Sequence, residues 1–234
     1  MLKIENLTKN YGDKKAIDGL SLQIAAGEIY GFIGHNGAGK TTTLKACCGI
    51  LKFDEGEIFV DGESIRENPL ACKQKIAYIP DNPDLSNFMK GIQYLQFVAD
   101  VFGVSAEDRK TRIARYADAL ELTDDLAQPI GAYSHGMKQK LALISAFLHE
   151  PKLIILDEPF VGLDPKAAHT LKTLMREHCD RGGAIFFSTH VLEVAEKLCD
   201  KIAIIKGGKL IKEGTMDEVK GDSTLENVFL ELVE

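Results

Sequence analysis

The chain has 234 residues, a formal net charge of −7 and no long basic run, so nucleic acid is not the predicted partner. Its five cysteines show no recurring spacing, which disfavours a disulfide framework and favours a reducing compartment. The first six residues lack the character of a signal peptide, and no apolar run reaches the roughly 20 residues that cross a bilayer. We expect a cytoplasmic protein that meets a membrane only through a partner.

The first third of the chain has the apolar alternation and the turn residues of short strands. We predict strands at 2–7, 20–24, 28–33, 57–60 and 76–79, with turns at Gly12-Asp13, 25–27 and Asp61-Gly62. A glycine-rich loop over 34–39 and a helix over about 40–48 follow the third of these strands. This part of the chain therefore predicts a β-rich beginning that leads into a loop and a helix.

From about residue 85 to 150 the apolar residues recur at helical spacing. One predicted stripe consists of Ile92, Leu95, Gln96 and Ala99, and a second consists of Ile113, Tyr116, Ala117 and Leu120. Apolar strands at 153–156 and 184–187 then flank a helix that begins at Pro165, with Asp164 as its N-cap. A hairpin around Gly207-Gly208 and a short helix over 225–232 close the pattern.

The loop that follows the third strand has the form GxxxxGK[ST] of a phosphate-binding loop. Its glycines allow consecutive backbone N–H groups to surround phosphate oxygens, and the helix N-terminus adds partial positive charge. We expect Lys40 to reach the β- and γ-phosphates and to assist catalysis, and the Thr41 hydroxyl to bind Mg²⁺. The predicted nucleotide-binding residues of this loop are Gly34, His35, Asn36, Gly37, Ala38, Gly39, Lys40, Thr41 and Thr42.

The apolar strand at 153–156 ends in two carboxylates, Asp157 and Glu158. Neighbouring side chains on a strand point to opposite faces, so the two acids are expected to have different roles. We predict that Asp157 holds Mg²⁺ and that Glu158 orients and deprotonates the attacking water. Alone, these residues would indicate only an exposed acidic strand end; the phosphate-binding loop makes the catalytic interpretation the better one.

Four further segments decide the family. The segment from Tyr133 to Lys140, YSHGMKQK, is similar to the signature sequence of the ATP-binding-cassette (ABC) family. Gly162-Leu163-Asp164-Pro165 resembles the family's D-loop, His190 its switch histidine and Tyr11 the aromatic residue that stacks on adenine. These segments occur in the family's order from residue 11 to 190, so the chain resembles the ATP-binding protein of an ABC transporter over most of its length.

This resemblance implies an α/β fold: a P-loop NTPase core of mainly parallel strands, an N-terminal antiparallel β subdomain and a helical insert. It implies one ABC ATPase domain over residues 1–234, with a helical subdomain at about 82–150. The implied ligands are ATP and Mg²⁺. The implied partners are a membrane permease and a second copy of the chain or a paralogous ATPase. In such a dimer, Ser134 and Gly136 would contact the nucleotide bound by the other chain. Asp164 would also bind ATP, and His190 would serve catalysis.

The chain departs from the family pattern at several positions. Asp81 stands in the loop where the family usually has Gln, and we predict a metal contact for it, because a carboxylate can also approach Mg²⁺. His135 replaces the first glycine of the signature and Met137 its glutamine. Together with the C-terminal segment, these departures resemble exporter-type ATPases whose permease is a separate chain. We therefore expect a location on the cytoplasmic face of the membrane.

Two other functions compete with transport. A soluble ABC ATPase of an assembly system, such as iron–sulfur cluster assembly, remains open, whereas a P-loop kinase or GTPase leaves residues 133–140 and His190 unexplained. A chromosome-type ATPase is disfavoured, because only about 115 residues separate the two nucleotide motifs and they show no sustained heptads. For a transporter, we predict that some of the apolar side chains after Asp81 bind a permease helix. The candidates are Phe88, Met89, Tyr94, Phe97 and Phe102, of which some are expected to be core residues.

Overall fold

The computed structural model describes residues 1–233 of the chain. The strands are β1 (Leu2–Tyr11), β2 (Lys14–Ile24), β3 (Ile29–Ile33), β4 (Glu55–Val60), β5 (Glu63–Ser64), β6 (Ile76–Ile79), β7 (Leu153–Asp157), β8 (Ala184–Thr189), β9 (Lys201–Lys206) and β10 (Lys209–Thr215). The helices are α1 (Lys40–Cys47), α2 (Pro69–Gln74), α3 (Gly91–Val101), α4 (Ala106–Ala119), α5 (His135–Leu148), α6 (Pro165–Asp180), α7 (Leu192–Leu198), α8 (Met216–Lys220) and α9 (Leu225–Val233). Short 3₁₀ turns lie at Thr123–Asp125 and Ile130–Ala132.

The strands form two sheets. The first has the order β2-β1-β4-β5 and is antiparallel, and the second has the order β10-β9-β3-β8-β7-β6. In the second sheet β3 pairs in parallel with β8 and β9, and β7 pairs in parallel with β8, whereas β10 is antiparallel to β9. Every residue of β3, β7 and β8 is buried, as expected for strands covered on both faces. The predicted fold class, a mainly parallel core with an antiparallel N-terminal sheet, is confirmed.

The chain divides into two compact units. The first contains Met1–Tyr78, Lys152–Glu158 and the chain from Met175 onward, and the second contains Ile79–Pro151 and Pro159–Leu174. The second unit takes in the segment at about 82–150 that was predicted to be a helical subdomain. The single domain predicted over 1–234 stays a prediction, because compact units do not by themselves define how many domains fold independently.

The first unit is built around one large apolar cluster. The alternation of β1 places Leu2 and Ile4 inside it and Lys3 outside. The Cys47 and Cys48 side chains at the end of α1 belong to the same cluster. All five cysteines are buried thiols, so packing explains them without metal binding or disulfides.

In the second unit, α4 and α5 each bury an apolar face. The predicted stripe Ile113, Tyr116, Ala117 and Leu120 is buried. The predicted stripe on α3 is correct for Leu95 and Ala99, but wrong for Gln96, which is exposed. Gln96 lies beside the buried line of the helix, where its long polar side chain remains in water.

The sequence patterns missed three helices and the two-residue strand β5, and the strands predicted at 2–7 and 20–24 were too short. The missed helices α2, α7 and α8 have 6, 7 and 5 residues, which is too short for helical periodicity to be visible. Strand β2 begins at Lys14 and not at residue 20, because its polar first half pairs with β1 across the turn at Gly12-Asp13. Among the described residues, the helices are all too short or too polar to span a membrane.

The His178 side chain is buried at the end of α6, within the first unit. Its ring packs directly against Gly183, where a Cβ atom would collide with it. Burial lowers the pKa of His178 from 6.5 to about 4, and the nearby Arg181 guanidinium adds to this effect. The folded protein therefore holds this imidazole in its neutral form over most of the pH range in which an exposed histidine would be protonated.

We predict that this histidine makes the fold sensitive to acid. In the unfolded chain the His178 imidazole binds a proton near pH 6.5, whereas in the folded chain it binds one only near pH 4. The contribution of neutral His178 to the unfolding free energy is therefore fully present above pH 6.5. As the pH falls towards 4, the unfolding free energy decreases by roughly 3 kcal/mol. Urea unfolding between pH 7 and 4 should show a steeper loss of unfolding free energy for the wild type than for His178→Phe. Parallel pH curves for the two proteins would contradict this prediction.

Candidate functional site

The phosphate-binding loop connects the buried strand β3 to the N-terminus of α1. Gly39, the last residue before the helix, has φ 111°, and a Cβ atom there would lie 2.5 Å from the Ala16 carbonyl oxygen. Only glycine fits this position, because L-residues avoid that backbone conformation and the space is already filled. The first N–H groups of α1 are thereby held at the loop, where an anion can accept hydrogen bonds from them.

Lys40 begins α1 and is only 6% exposed. Its ammonium nitrogen donates a hydrogen bond of 2.6 Å to the Gly34 carbonyl and a longer one of 3.4 Å to the His35 carbonyl. The same nitrogen lies 3.7 Å from Oε1 of Glu158. A buried cation is costly unless oxygen atoms surround it, and here the loop and the end of β7 supply them.

Thr41 and Asp157 lie together at the end of β7. The Thr41 hydroxyl donates a 2.7 Å hydrogen bond to Oδ2 of Asp157. The other carboxylate oxygen accepts a hydrogen bond from the Ser188 hydroxyl. Ser188 is the register partner of Asp157 on β8, so the parallel pairing of the two strands holds the carboxylate in place.

Glu158 follows directly and has a left-handed backbone, with φ 49°. This conformation is uncommon for a non-glycine residue and often marks functional positions. The Glu158 N–H donates to the carbonyl and the hydroxyl of Ser188. Oε2 of its carboxylate accepts from the His190 backbone N–H at 3.3 Å and lies 3.0 Å from Nδ1 of the His190 ring. The mostly buried carboxylate is thus placed between Lys40 and His190.

Comparisons with known proteins agree with this geometry. Residues 17–161 match the family described as ABC transporter. The chain is 40% identical to the ABC transporter ATP-binding protein YhcH of Bacillus subtilis (strain 168), over 97% of this chain and 73% of that protein. It is 36% identical to the Nod factor export ATP-binding protein I of Burkholderia orbicola (strain AU 1054), over 91% of this chain and 70% of that protein. A solved structure of the ATP-binding subunit of an ABC transporter superposes with a TM-score of 0.96 at 32% identity, covering 99% of both chains.

The chain belongs to the ABC transporter ATP-binding family. It is an ABC ATPase: a subunit that binds and hydrolyses ATP for a transporter. The two motifs that indicated nucleotide hydrolysis from the sequence, the phosphate-binding loop and the acidic end of β7, belong to the same compact unit of the structure.

The signature segment of the ABC ATPase lies in the second unit, at the start of α5. Ser134 is the N-cap, and its hydroxyl accepts a hydrogen bond from the Met137 N–H at 3.3 Å. His135 packs against Gly162 of the D-loop so closely that a side chain at Gly162 would collide with its ring. The signature and the D-loop therefore form one packed group within this unit.

Asp164 holds the same group from the D-loop side. One of its oxygens accepts from the Ala167 N–H at 2.9 Å and caps α6, and the other lies 3.0 Å from the Lys140 ammonium of α5. These two contacts hold the pKa of the Asp164 carboxyl below its usual range. The nucleotide contacts of Ser134, Gly136 and Asp164 stay predictions.

The remaining predicted residues lie at exposed positions. Tyr11 ends β1 and is half exposed, with the Lys9 ammonium 5.4 Å from the centre of its ring. A ring held by a cation on one side can stack a flat base on its other side. Asp81 lies two residues beyond β6, in an exposed part of the second unit. Its contact with a metal stays a prediction.

The donor atoms at Thr41 and Asp157 suit Mg²⁺, which prefers hard oxygen ligands and usually retains few protein ligands beside substrate phosphates. Among the described residues, no group of three or more His, Cys, Asp or Glu side chains could hold a metal ion on its own. The Thr41 hydroxyl and the Asp157 carboxylate oxygen, 2.7 Å apart, therefore fit a Mg²⁺ ion whose other ligands include phosphate oxygens of the nucleotide. They do not fit a metal site whose ligands all come from the protein.

Two residues in these groups make contacts that were not predicted from the sequence. Ser188 was not among the predicted site residues, and its hydrogen bonds to Asp157 and Glu158 depend on strand pairing. Lys140 was named only as the last residue of the signature segment, and its ion pair with Asp164 joins two helices. The signal for Ser188 was its position at the end of a buried strand, where side chains reach the edge of a parallel sheet.

We predict that Glu158→Gln lowers the rate of ATP hydrolysis by roughly 100-fold or more, because the amide cannot accept a proton from water. ATP binding should be retained, since the phosphate-binding loop is unchanged. Steady-state phosphate release and equilibrium ATP binding measure the two effects. Lys40→Ala should instead weaken binding itself, and Glu107→Gln, an exposed change on α4, should alter neither. Hydrolysis at the wild-type rate in Glu158→Gln would exclude Glu158 as the base.

Proposed function

We propose that this ABC ATPase powers an exporter whose permease is a separate polypeptide, and that Glu158 is its catalytic base. The observation that carries the assignment of the base is the position of the Glu158 carboxylate. It lies 3.7 Å from the buried Lys40 ammonium and 3.0 Å from the His190 ring, next to the Thr41–Asp157 pair. A base, a cation for phosphate and a pair of metal ligands are the groups that ATP hydrolysis requires.

The proposed reaction is attack of a water molecule on the γ-phosphorus of ATP. Lys40 and the N–H groups of the loop bind the phosphate oxygens. Glu158 accepts the proton that the water loses, while the bond from the γ-phosphorus to the bridging oxygen breaks and ADP and phosphate result. His190 keeps the Glu158 carboxylate oriented through Oε2. Mg²⁺, held by Thr41 and Asp157, would neutralise part of the charge on the β- and γ-phosphates.

ABC ATPases work as dimers, and we infer that the second phosphate clamp of this protein comes from another chain. Ser134 is exposed at the N-terminus of α5, and Gly136 follows it in the first turn. Backbone N–H groups at a helix N-terminus attract anions. Their tight packing against the D-loop gives them a defined geometry to present to the nucleotide of a second copy or of a paralogous ATPase.

Mixing two inactive variants tests this arrangement. Lys40→Ala removes the phosphate cation, and Ser134→Arg blocks the signature. In a mixed dimer the two defects fall in one site, and the other site combines an intact loop with an intact signature. ATP hydrolysis should therefore return when the two inactive homodimers are mixed, to as much as half the wild-type rate per mixed dimer.

A control is needed for the assumption that one working site suffices. Wild-type chain titrated with the Lys40→Ala chain must retain activity in the mixed dimers, whose formation is followed by labelling the two chains with different fluorophores. If this control succeeds and the two variants still fail to rescue each other, the signature acts within its own chain or not on nucleotide, and the head-to-tail dimer is wrong.

Export and a separate permease are supported by two further observations. One relative is named as an export ATP-binding protein. The second unit also presents an apolar surface: Phe88 is 100% exposed, and Phe97 and Val101, one turn apart on α3, are each more than half exposed. Exposed apolar side chains of this size often mark a protein contact. A permease helix bound there would place this ATPase on the cytoplasmic face of the membrane.

The five residues predicted for docking differ in burial. Tyr94 and Phe102 are half-buried: burial raises the pKa of Tyr94, and the Phe102 ring stacks on the His149 ring with centroids 3.7 Å apart. Met89 is half-buried. The predicted docking set is thereby reduced to Phe88 and Phe97, and Val101 joins it.

We predict that Phe88→Ser and Phe97→Ser lower co-purification with the permease several-fold, because each removes apolar surface from the contact. ATP binding should stay at the wild-type level. Leu70→Ser, an exposed leucine on α2 in the first unit, is the matched control and should leave co-purification intact. Undiminished co-purification in both phenylalanine variants, or capture of the chain by a soluble assembly protein instead, would contradict the proposal.

A further inference from the structure

The C-terminal helix α9 reaches the phosphate-binding loop. The Phe229 ring on α9 is 7% exposed and meets the His35 ring edge to face, with centroids 5.0 Å apart and an interplanar angle of 65°. His35 directly follows Gly34 in the loop. An aromatic contact therefore joins the last helix of the chain to the loop that surrounds Lys40.

The backbone of His35 takes part in the loop's own hydrogen bonds. Its carbonyl accepts from the Ala38 N–H at 3.1 Å and from the Lys40 ammonium at 3.4 Å. A shift of the His35 ring would therefore be transmitted to the backbone that positions Lys40.

Helix α9 is itself firmly anchored. Thr224 caps it by accepting from the Asn227 N–H at 3.2 Å, and Leu225 donates its N–H to Glu196 of α7 at 3.4 Å. Glu196 also lies 3.0 Å from the Lys220 ammonium of α8. Because α7 begins two residues after His190, α9 is tied both to the phosphate-binding loop and to the helix that follows the histidine beside Glu158.

We propose that Phe229 is a positioning residue for nucleotide binding, which acts through His35 to hold the phosphate-binding loop in its binding conformation. The proposal rests on the nucleotide-binding role of that loop. Because an edge-to-face aromatic contact stabilises beyond its buried area, loss of the ring should weaken ATP binding by about 3- to 10-fold, which corresponds to about 0.7–1.4 kcal/mol.

The test compares two neighbouring truncations of α9. Phe229→Ala removes the ring that contacts His35, whereas Val228→Ala, at a side chain that is 8% exposed, removes buried apolar surface without that contact. ATP affinity is measured by calorimetry at a temperature at which circular dichroism shows each variant folded. Phe229→Ala should raise the Kd for ATP by about 3- to 10-fold, and Val228→Ala should raise it by less than twofold. Phe229→Tyr, which keeps the ring, should retain the wild-type affinity.

A double-mutant cycle with His35→Ala isolates the pair. In the His35→Ala background, Phe229→Ala should change the Kd less than twofold, because the contact is already absent. An equal effect of Phe229→Ala in both backgrounds, or equal effects of Phe229→Ala and Val228→Ala, would overturn the proposal.

Lys40→Ala in the same assay separates this inference from the proposed function. Wild-type affinity in Lys40→Ala would show that the loop is not the nucleotide site, and both proposals would fail. Lost affinity in Lys40→Ala together with no specific effect of Phe229→Ala would overturn only the role of Phe229.

Discussion

The buried ammonium of Lys40 is the constraint on which the arrangement of the first unit's site depends. A cation that is 6% exposed has lost most of its hydration, and oxygen atoms must replace the lost water. The Gly34 carbonyl does so at 2.6 Å and the Glu158 carboxylate at 3.7 Å. The same interaction that stabilises the cation therefore brings the proposed base to the loop that binds phosphate.

The parallel sheet makes this meeting possible. Strands β3, β8 and β7 are neighbours in that order, and parallel strands bring their carboxyl ends to one edge. The phosphate-binding loop follows β3, His190 follows β8, and Asp157 ends β7 with Glu158 next to it. Ser188, paired in register with Asp157, binds the side chain of one acid and the backbone of the other. The left-handed Glu158 backbone is kept in place by these hydrogen bonds, which offset its conformational cost.

The second unit organises its signature by different means. In the first unit strand register positions the residues, whereas here two helix caps and an ion pair do so. Ser134 caps α5, Asp164 caps α6, and the ion pair of Lys140 with Asp164 joins the two helices. The close packing of His135 on Gly162 explains how a signature without its first glycine is accommodated. Each unit thus holds its proposed nucleotide-binding groups through contacts within itself, which suits the proposed assembly of complete sites from two chains.

The sequence by itself determined the phosphate-binding loop and the acidic strand end, because each is written in consecutive residues whose spacing follows from strand or loop geometry. The signature segment came from its resemblance to the ABC family, and the order of strand and helix patterns indicated the mixed α/β fold. The sequence also determined the family, through the order of those segments. Only the tertiary structure decided that Ser188 binds Asp157, that His190 lies on Glu158, that Lys140 pairs with Asp164 and that Phe229 contacts His35. These pairs depend on strand order, register and helix packing between segments distant in the chain, and local spacing carries no information on which distant segments will meet.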